Sequence, residues 1–171
     1  MQTVCLPKGK PADYFLQQQK REQDEEKMLY FPLDGMLPAG DTLVLNTALS
    51  TLSYLSRGID CPRLEKQQQF TSSELSLLRP LLELYPHYCP YEVMFASFYN
   101  GTINDEMVEQ YRQRLYEALE ADIWDQQLRP IRNVLSRTRI KLRPFGIDIS
   151  SILETGYILI LTPRLKSEEF A

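Results

Sequence analysis

The sequence predicts a mainly α-helical domain with a small β component, and three features carry that expectation. "TSSE" at residues 71–74 has the pattern of a helix-opening capping box and leads into a leucine-rich run. Apolar residues recur at three- and four-residue steps across 107–123. Two isoleucine-rich runs flank Glu154-Thr155-Gly156, the pattern of a β-hairpin. A length of 171 residues fits about one domain, and a hydrophobic fraction of 43% supplies enough apolar surface for a core.

Residues 11–29 are polar, with charges of both signs on good helix formers, and predict a solvent-exposed helix. "YFPLDGMLPAGD" holds two prolines and two glycines and reads as a connector, so residues 1–40 form an arm that is partly helical. Between Asp41 and Gly58, Leu45, Ala48, Leu49, Leu52 and Leu55 favour a helix capped by those two residues. The Thr, Val and Tyr content makes strands the rival reading there. "IDCPRLEKQQQ" is a polar link.

From Thr71 a helix runs to the residues before Pro86, with Pro80 expected to bend it. "PYEVMFASFYNG" predicts a second, short helix with Pro90 in its first turn and Gly101 just past its end. "INDEMVEQYRQRLYEALEADIW" predicts a third, with Met107, Val108, Tyr111, Leu115, Leu119 and Ile123 as its apolar stripe. Pro130 suits the first turn of a new helix, which places a chain break near Gln126–Leu128. After the hairpin, residues 163–171 are a tail.

The segment "RPIRNVLSRTRIKLRPFG" is where the charge pattern departs from the background. The chain has 19 Lys and Arg against 23 Asp and Glu, a formal charge of −4, yet six of its cations fall within residues 129–143. They are Arg129, Arg132, Arg137, Arg139, Lys141 and Arg143, and no Asp or Glu occurs from Gln126 to Ile147. On a helical wheel Ile131, Val134, Leu135, Thr138 and Leu142 share one face, which predicts the buried side. Arg129, Arg132, Arg139 and Arg143 share a stripe with Ser136, Asn133 lies close to it, and Arg137 and Lys141 flank the far side. Unpaired like charges four apart weaken a helix by a few tenths of a kcal/mol each, so something anionic must compensate. Nucleic acid is one candidate, since Arg and Lys neutralise phosphates while Asn, Ser and Arg reach base edges. The others are the acidic excess of the same chain, for instance on the helix over 105–123, and an acidic protein partner.

Several chemistries are not supported. GxGxxG, GxxxxGK[ST], GxSxG and HExxH are all missing, so no enzyme, cofactor or metal site is expected. Glu25-Glu26 and Glu168-Glu169 sit in polar stretches and read as solvated surface. Cys5, Cys61 and Cys89 are odd in number and widely spaced, and with His87 they match no recurring zinc pattern. No run approaches the roughly 18–20 apolar residues of a membrane span. "MQTVCLPKGKPADYF" lacks the apolar stretch of a signal peptide, so the expectation is a cytoplasmic protein.

The order of these elements from residue 70 to 162 resembles the effector domain of OmpR/PhoB-type response regulators. The similarity is carried by "FTSSELSLL", by the aromatic-then-Gly ending of "MFASFYNG", by the basic "VLSRTRIKL", and by Gly156-Tyr157 before the last strand. The resemblance implies a winged helix-turn-helix, with residues 41–69 in the place of the sheet or helix that buttresses the family's core. This sequence departs from the family by an inserted helix at 101–128 and by an N-terminal helical extension. The resemblance implies a recognition helix at about 129–143 in the DNA major groove and a wing at about 147–161. Arg129, Arg132, Asn133 and Ser136 would then lie nearest the bases, with Arg137, Arg139 and Arg143 on the backbone and Lys141 beside them. Glu154 stands where the family's wing often carries Arg. Residues 101–128 would either offer a surface to RNA polymerase or to a second copy, or add a helix packed onto the core, and nothing in the first 70 residues resembles a phosphorylated receiver domain. The expected function is a sequence-specific, double-stranded DNA-binding transcription regulator, dimeric and non-catalytic. The rival is a winged-helix protein-interaction module on a transcription or replication complex, favoured by a pI near 5.1.

Overall fold

In the computed structural model, residues 28–162 are described. The helix expected over residues 11–29 and the tail at 163–171 lie almost entirely outside them. Chain order is β1 (Met28–Phe31), β2 (Thr42–Asn46), β3 (Thr51–Ser56), β4 (Arg63–Gln69), α1 (Ser72–Glu83), β5 (Tyr88–Pro90), α2 (Tyr91–Asn100), α3 (Asp105–Glu120), α4 (Trp124–Leu142), β6 (Ile147–Ile152) and β7 (Gly156–Leu161). The first four strands form one antiparallel meander, and the last three form a second antiparallel sheet ordered β5-β7-β6.

This corrects the expected class. With 44% helix and 27% strand in two antiparallel sheets, the described residues form an α+β fold and not the mainly α winged helix-turn-helix with a helical extension. The largest error falls on residues 41–58, where the favoured helix is the β2–β3 hairpin. Leu45, Leu52 and Leu55 fit the helical period, but tertiary burial selects Leu43, Val44, Leu45, Leu52 and Tyr54, with Leu52 and Tyr54 alternating along β3 and Leu49 left 63% exposed at the turn. Asn46 Oδ1 accepts the Leu49 N–H and closes that turn. Asp41 caps no helix: its carboxylate accepts the Tyr54 hydroxyl at 2.5 Å and the Arg57 N–H at 2.9 Å, which ties the open end of the hairpin. The supposed polar link contains β4, whose residues are polar on both faces and so carry no period-two signal. Met28–Phe31, expected at a helix end and connector, is the edge strand β1.

Downstream, local signals match more closely. Thr71 Oγ1 accepts the Glu74 N–H and the Glu74 carboxylate accepts the Thr71 N–H, so both halves of the capping box are made at α1. Gly101 adopts the left-handed conformation (φ 69°) that ends α2. Asn104 caps α3 by accepting the Met107 N–H. The chain then breaks at Ala121–Ile123, with Asp122 at φ 55°, and not at Gln126–Leu128. Pro130 therefore sits inside α4. Complete burial of Leu128 and Ile131, on either side of it, holds that stretch helical. One hydrophobic cluster joins the first sheet (Leu43, Leu45, Leu52, Tyr54) to α1 (Leu77, Leu78, Leu81), α2 (Met94, Phe95), α4 and the second sheet (Ile147, Ile149, Leu159). That common core fixes α4 with one face inward and one outward.

Candidate nucleic-acid interface

Leu128, Ile131, Val134, Leu135, Thr138 and Leu142 are the buried residues of α4, and Thr138 satisfies its hydroxyl by donating to the Val134 carbonyl. Nineteen residues give a rod of about 28 Å. Arg129, Arg132, Asn133, Ser136, Arg137 and Arg139 are exposed on it, and Arg143 follows directly, also exposed, in a short 3-10 turn (Arg143–Phe145). Ile140, 60% exposed, lies among them and is the one large apolar side chain on the outward face.

Three of the six cations are engaged by carboxylates. Arg132 Nη1 donates to Asp125 Oδ1 at 2.7 Å, and Arg139 grips both oxygens of Asp148 at 2.8 and 3.1 Å. Lys141 has turned inward: its Nζ donates to Glu74 Oε2 at 2.7 Å and to the Gln69 carbonyl at 3.2 Å, and it sits 5.5 Å from the Phe70 ring centre. Lys141 thus fastens the end of β4 and the capping box of α1 to the last turns of α4, and its role is structural. Arg129, Arg137 and Arg143 form no ion pair with the described residues. Of the four arginines on the stripe, Arg132 and Arg139 thus meet the chain's own acids, and Arg129 and Arg143 form no ion pair with the described residues. None of the pairing acids lies on α3, the helix proposed as the internal alternative.

Both arginine partners were missed for one reason. Asp125 and Asp148 stand immediately outside the acid-free window of 126–147, one at each end. Asp125 precedes Arg132 by seven residues, which returns it to the same helix face, so this pair was accessible to the wheel. Asp148 becomes a partner only once β6 packs beside α4.

The charges leave their mark on titration. Arg139 donating to Asp148 holds that carboxyl below its ordinary value, against the opposing effect of partial burial. Burial pushes Glu74 up, but hydrogen bonds from Lys141 and the Thr71 N–H, with the lysine's charge, outweigh it and leave the acid depressed. Burial raises the Tyr157 hydroxyl, with Arg132 and Arg139 partly offsetting it.

A cleft of about 510 Å³ separates α4 from the β6–β7 hairpin, with Arg132, Ser136 and Arg139 on one wall and Ser151, Leu153 and Tyr157 on the other. Tyr91 packs edge-on against both Trp124 and Tyr157, each with ring centres 5.4 Å apart, so aromatic contacts hold the start of α4 against the hairpin. Ser136 Oγ donates back to the Arg132 carbonyl at 2.9 Å, which leaves it an acceptor toward solvent. Asn133 makes no hydrogen bond with the described residues. At the hairpin tip Leu153 is 86% exposed and Glu154 has φ 58°.

No group of three or more His, Cys, Asp or Glu side chains among the described residues could hold a metal ion. His87 is buried with Nδ1 3.0 Å from the Leu81 carbonyl oxygen. Burial pushes the Cys89 thiol up to about 12, which leaves it a thiol at neutral pH. No described helix is long and apolar enough to cross a membrane. No family model, curated protein or solved structure matches the chain.

Proposed function

We propose that the chain binds double-stranded DNA sequence-specifically through the outward face of α4, as a dimeric transcription regulator without catalytic activity. The observation that supports this best is the trio of Arg129, Arg137 and Arg143, exposed on or next to a rigid helix in an otherwise acidic chain. None of the three makes a salt bridge or hydrogen bond to a carboxylate among the described residues, although the charges of Arg137 and Arg143 are felt by Glu74 and Asp148. Phosphates supply the missing counter-charge, and the release of condensed cations drives the association. Asn133, Ser136 and Ile140 lie between these arginines. An amide suits adenine, a hydroxyl suits several base edges and an apolar group suits the thymine methyl. Asp125 and Asp148 orient Arg132 and Arg139 without burying them, since both guanidinium groups remain 45–46% exposed.

One observation favours a second reading, a protein-interaction module: the same two aspartates already neutralise half of the arginine stripe. Selection from a random duplex library separates the two. Enrichment of a defined motif, abolished by replacing Arg129, Arg137 and Arg143 together with Ala, is the expected result. A library that yields no motif with the folded wild-type chain contradicts DNA reading.

A further inference from the structure

The solvent face of α3 is not polar throughout. Tyr116 is 61% and Leu119 50% exposed, where the helix's own apolar stripe predicts Leu119 to be covered. Together with the half-buried Tyr88, Pro90 and Trp124 they line a groove of about 420 Å³ to which Glu154 and Thr155 of the hairpin turn also contribute. The hydroxyls of Tyr88 and Tyr116 and the indole N–H of Trp124 make no hydrogen bond with the described residues. Aromatic donors without an internal partner, set among apolar Pro90, Leu115 and Leu119, suit a ligand whose carbonyls are exposed and internally unbonded. A polyproline II segment has that property: three residues per turn, no internal hydrogen bonds, and proline rings that fill slots between aromatics.

Charge at the groove narrows the choice. Arg112 reaches Glu92 at 3.4 Å and also pairs with Glu109, so the one basic residue at the rim is neutralised. Glu154 makes no ion pair with the described residues and lines the groove. We propose that this groove docks a proline-rich segment of a partner protein, in the polyproline II conformation, with an Arg or Lys set against Glu154.

Trp124 is the chain's single tryptophan and lines the groove, so its emission reports occupancy directly. The full chain is titrated with decaproline carrying a terminal arginine. A saturable change in Trp124 emission is expected. Tyr116→Ala should weaken binding about tenfold, and Glu154→Gln should weaken the arginine-bearing peptide about fivefold while leaving plain decaproline unchanged. Both positions are exposed, and thermal melting checks that each variant folds. No saturable change, an equal response to an alanine-rich helical peptide of the same charge, or a response to oligothymidylate alone would each overturn the assignment. Duplex binding by α4 is read separately, so either conclusion can fail without the other.

Discussion

Lys141 and Arg137 lie four residues apart on one helix and do different work. Lys141 bonds directly to Glu74, a carboxylate only 2% exposed, whereas Arg137 faces solvent with no ion pair among the described residues and reaches Glu74 only through its charge, the smallest of the effects that lower that acid. Lys141→Met should destabilise the fold by about 3 kcal/mol in urea titration, because it leaves a buried carboxylate without its cation. It should leave the salt dependence of duplex binding unchanged, whereas Arg137→Ala should flatten that dependence by about one phosphate contact and lower stability far less than Lys141→Met does, since its charge is a minor influence on Glu74. Equal effects of the two variants on both quantities would contradict this division. Acid should expose the same anchors. Glu74 and Asp148 both titrate lower folded than unfolded, so their contribution is complete above the ordinary carboxylate range of about 4 and is lost as pH falls through the folded values. Glu74→Gln with Asp148→Asn should flatten that acid limb in melting temperature against pH, while a limb unchanged by the double variant would place the acid sensitivity elsewhere.

Secondary-structure elements set these residues in place, and their legibility varied with how local their causes are. The capping box of α1, the glycine stop of α2 and the β6–β7 hairpin are encoded within a few residues each, so their sequence patterns suffice. The inward face of α4 was legible because five apolar or small residues repeat at the helical period on a charged helix. The β2–β3 hairpin was not, because Leu45, Leu52 and Leu55 fit the helical period while the competing alternation of Leu52 and Tyr54 is short, and strand pairing with β1 and β4 decides between them. β4 carries almost no pattern, being exposed on both faces. Gly156 tests the hairpin as an element. A Cβ there would fall 2.2 Å from the Cys89 carbonyl oxygen and 2.9 Å from the Pro90 Cα, because β5 crosses directly against the start of β7. Gly156→Ala should therefore destabilise the fold by about 2–4 kcal/mol on urea unfolding. A neutral substitution would show that β5 does not sit against β7 as described.

At the scale of the whole molecule, the two sheets and four helices of the described residues share one core, and the acidic background makes the basic face of α4 local. A net charge of −4 repels a polyanion except where that face is presented, so binding should be oriented and steeply salt-dependent. Three free arginines and two half-exposed ones correspond to about three to five phosphate contacts, a slope of log K against log salt near −3 to −4.5. The most direct test is a titration of a duplex pool by the intact chain at several salt concentrations, beside the Arg129→Ala, Arg137→Ala, Arg143→Ala triple variant. Binding with a slope in that range, reduced by about three in the variant, is the result expected. No binding, a flat response, or an unchanged slope in a folded triple variant would contradict it.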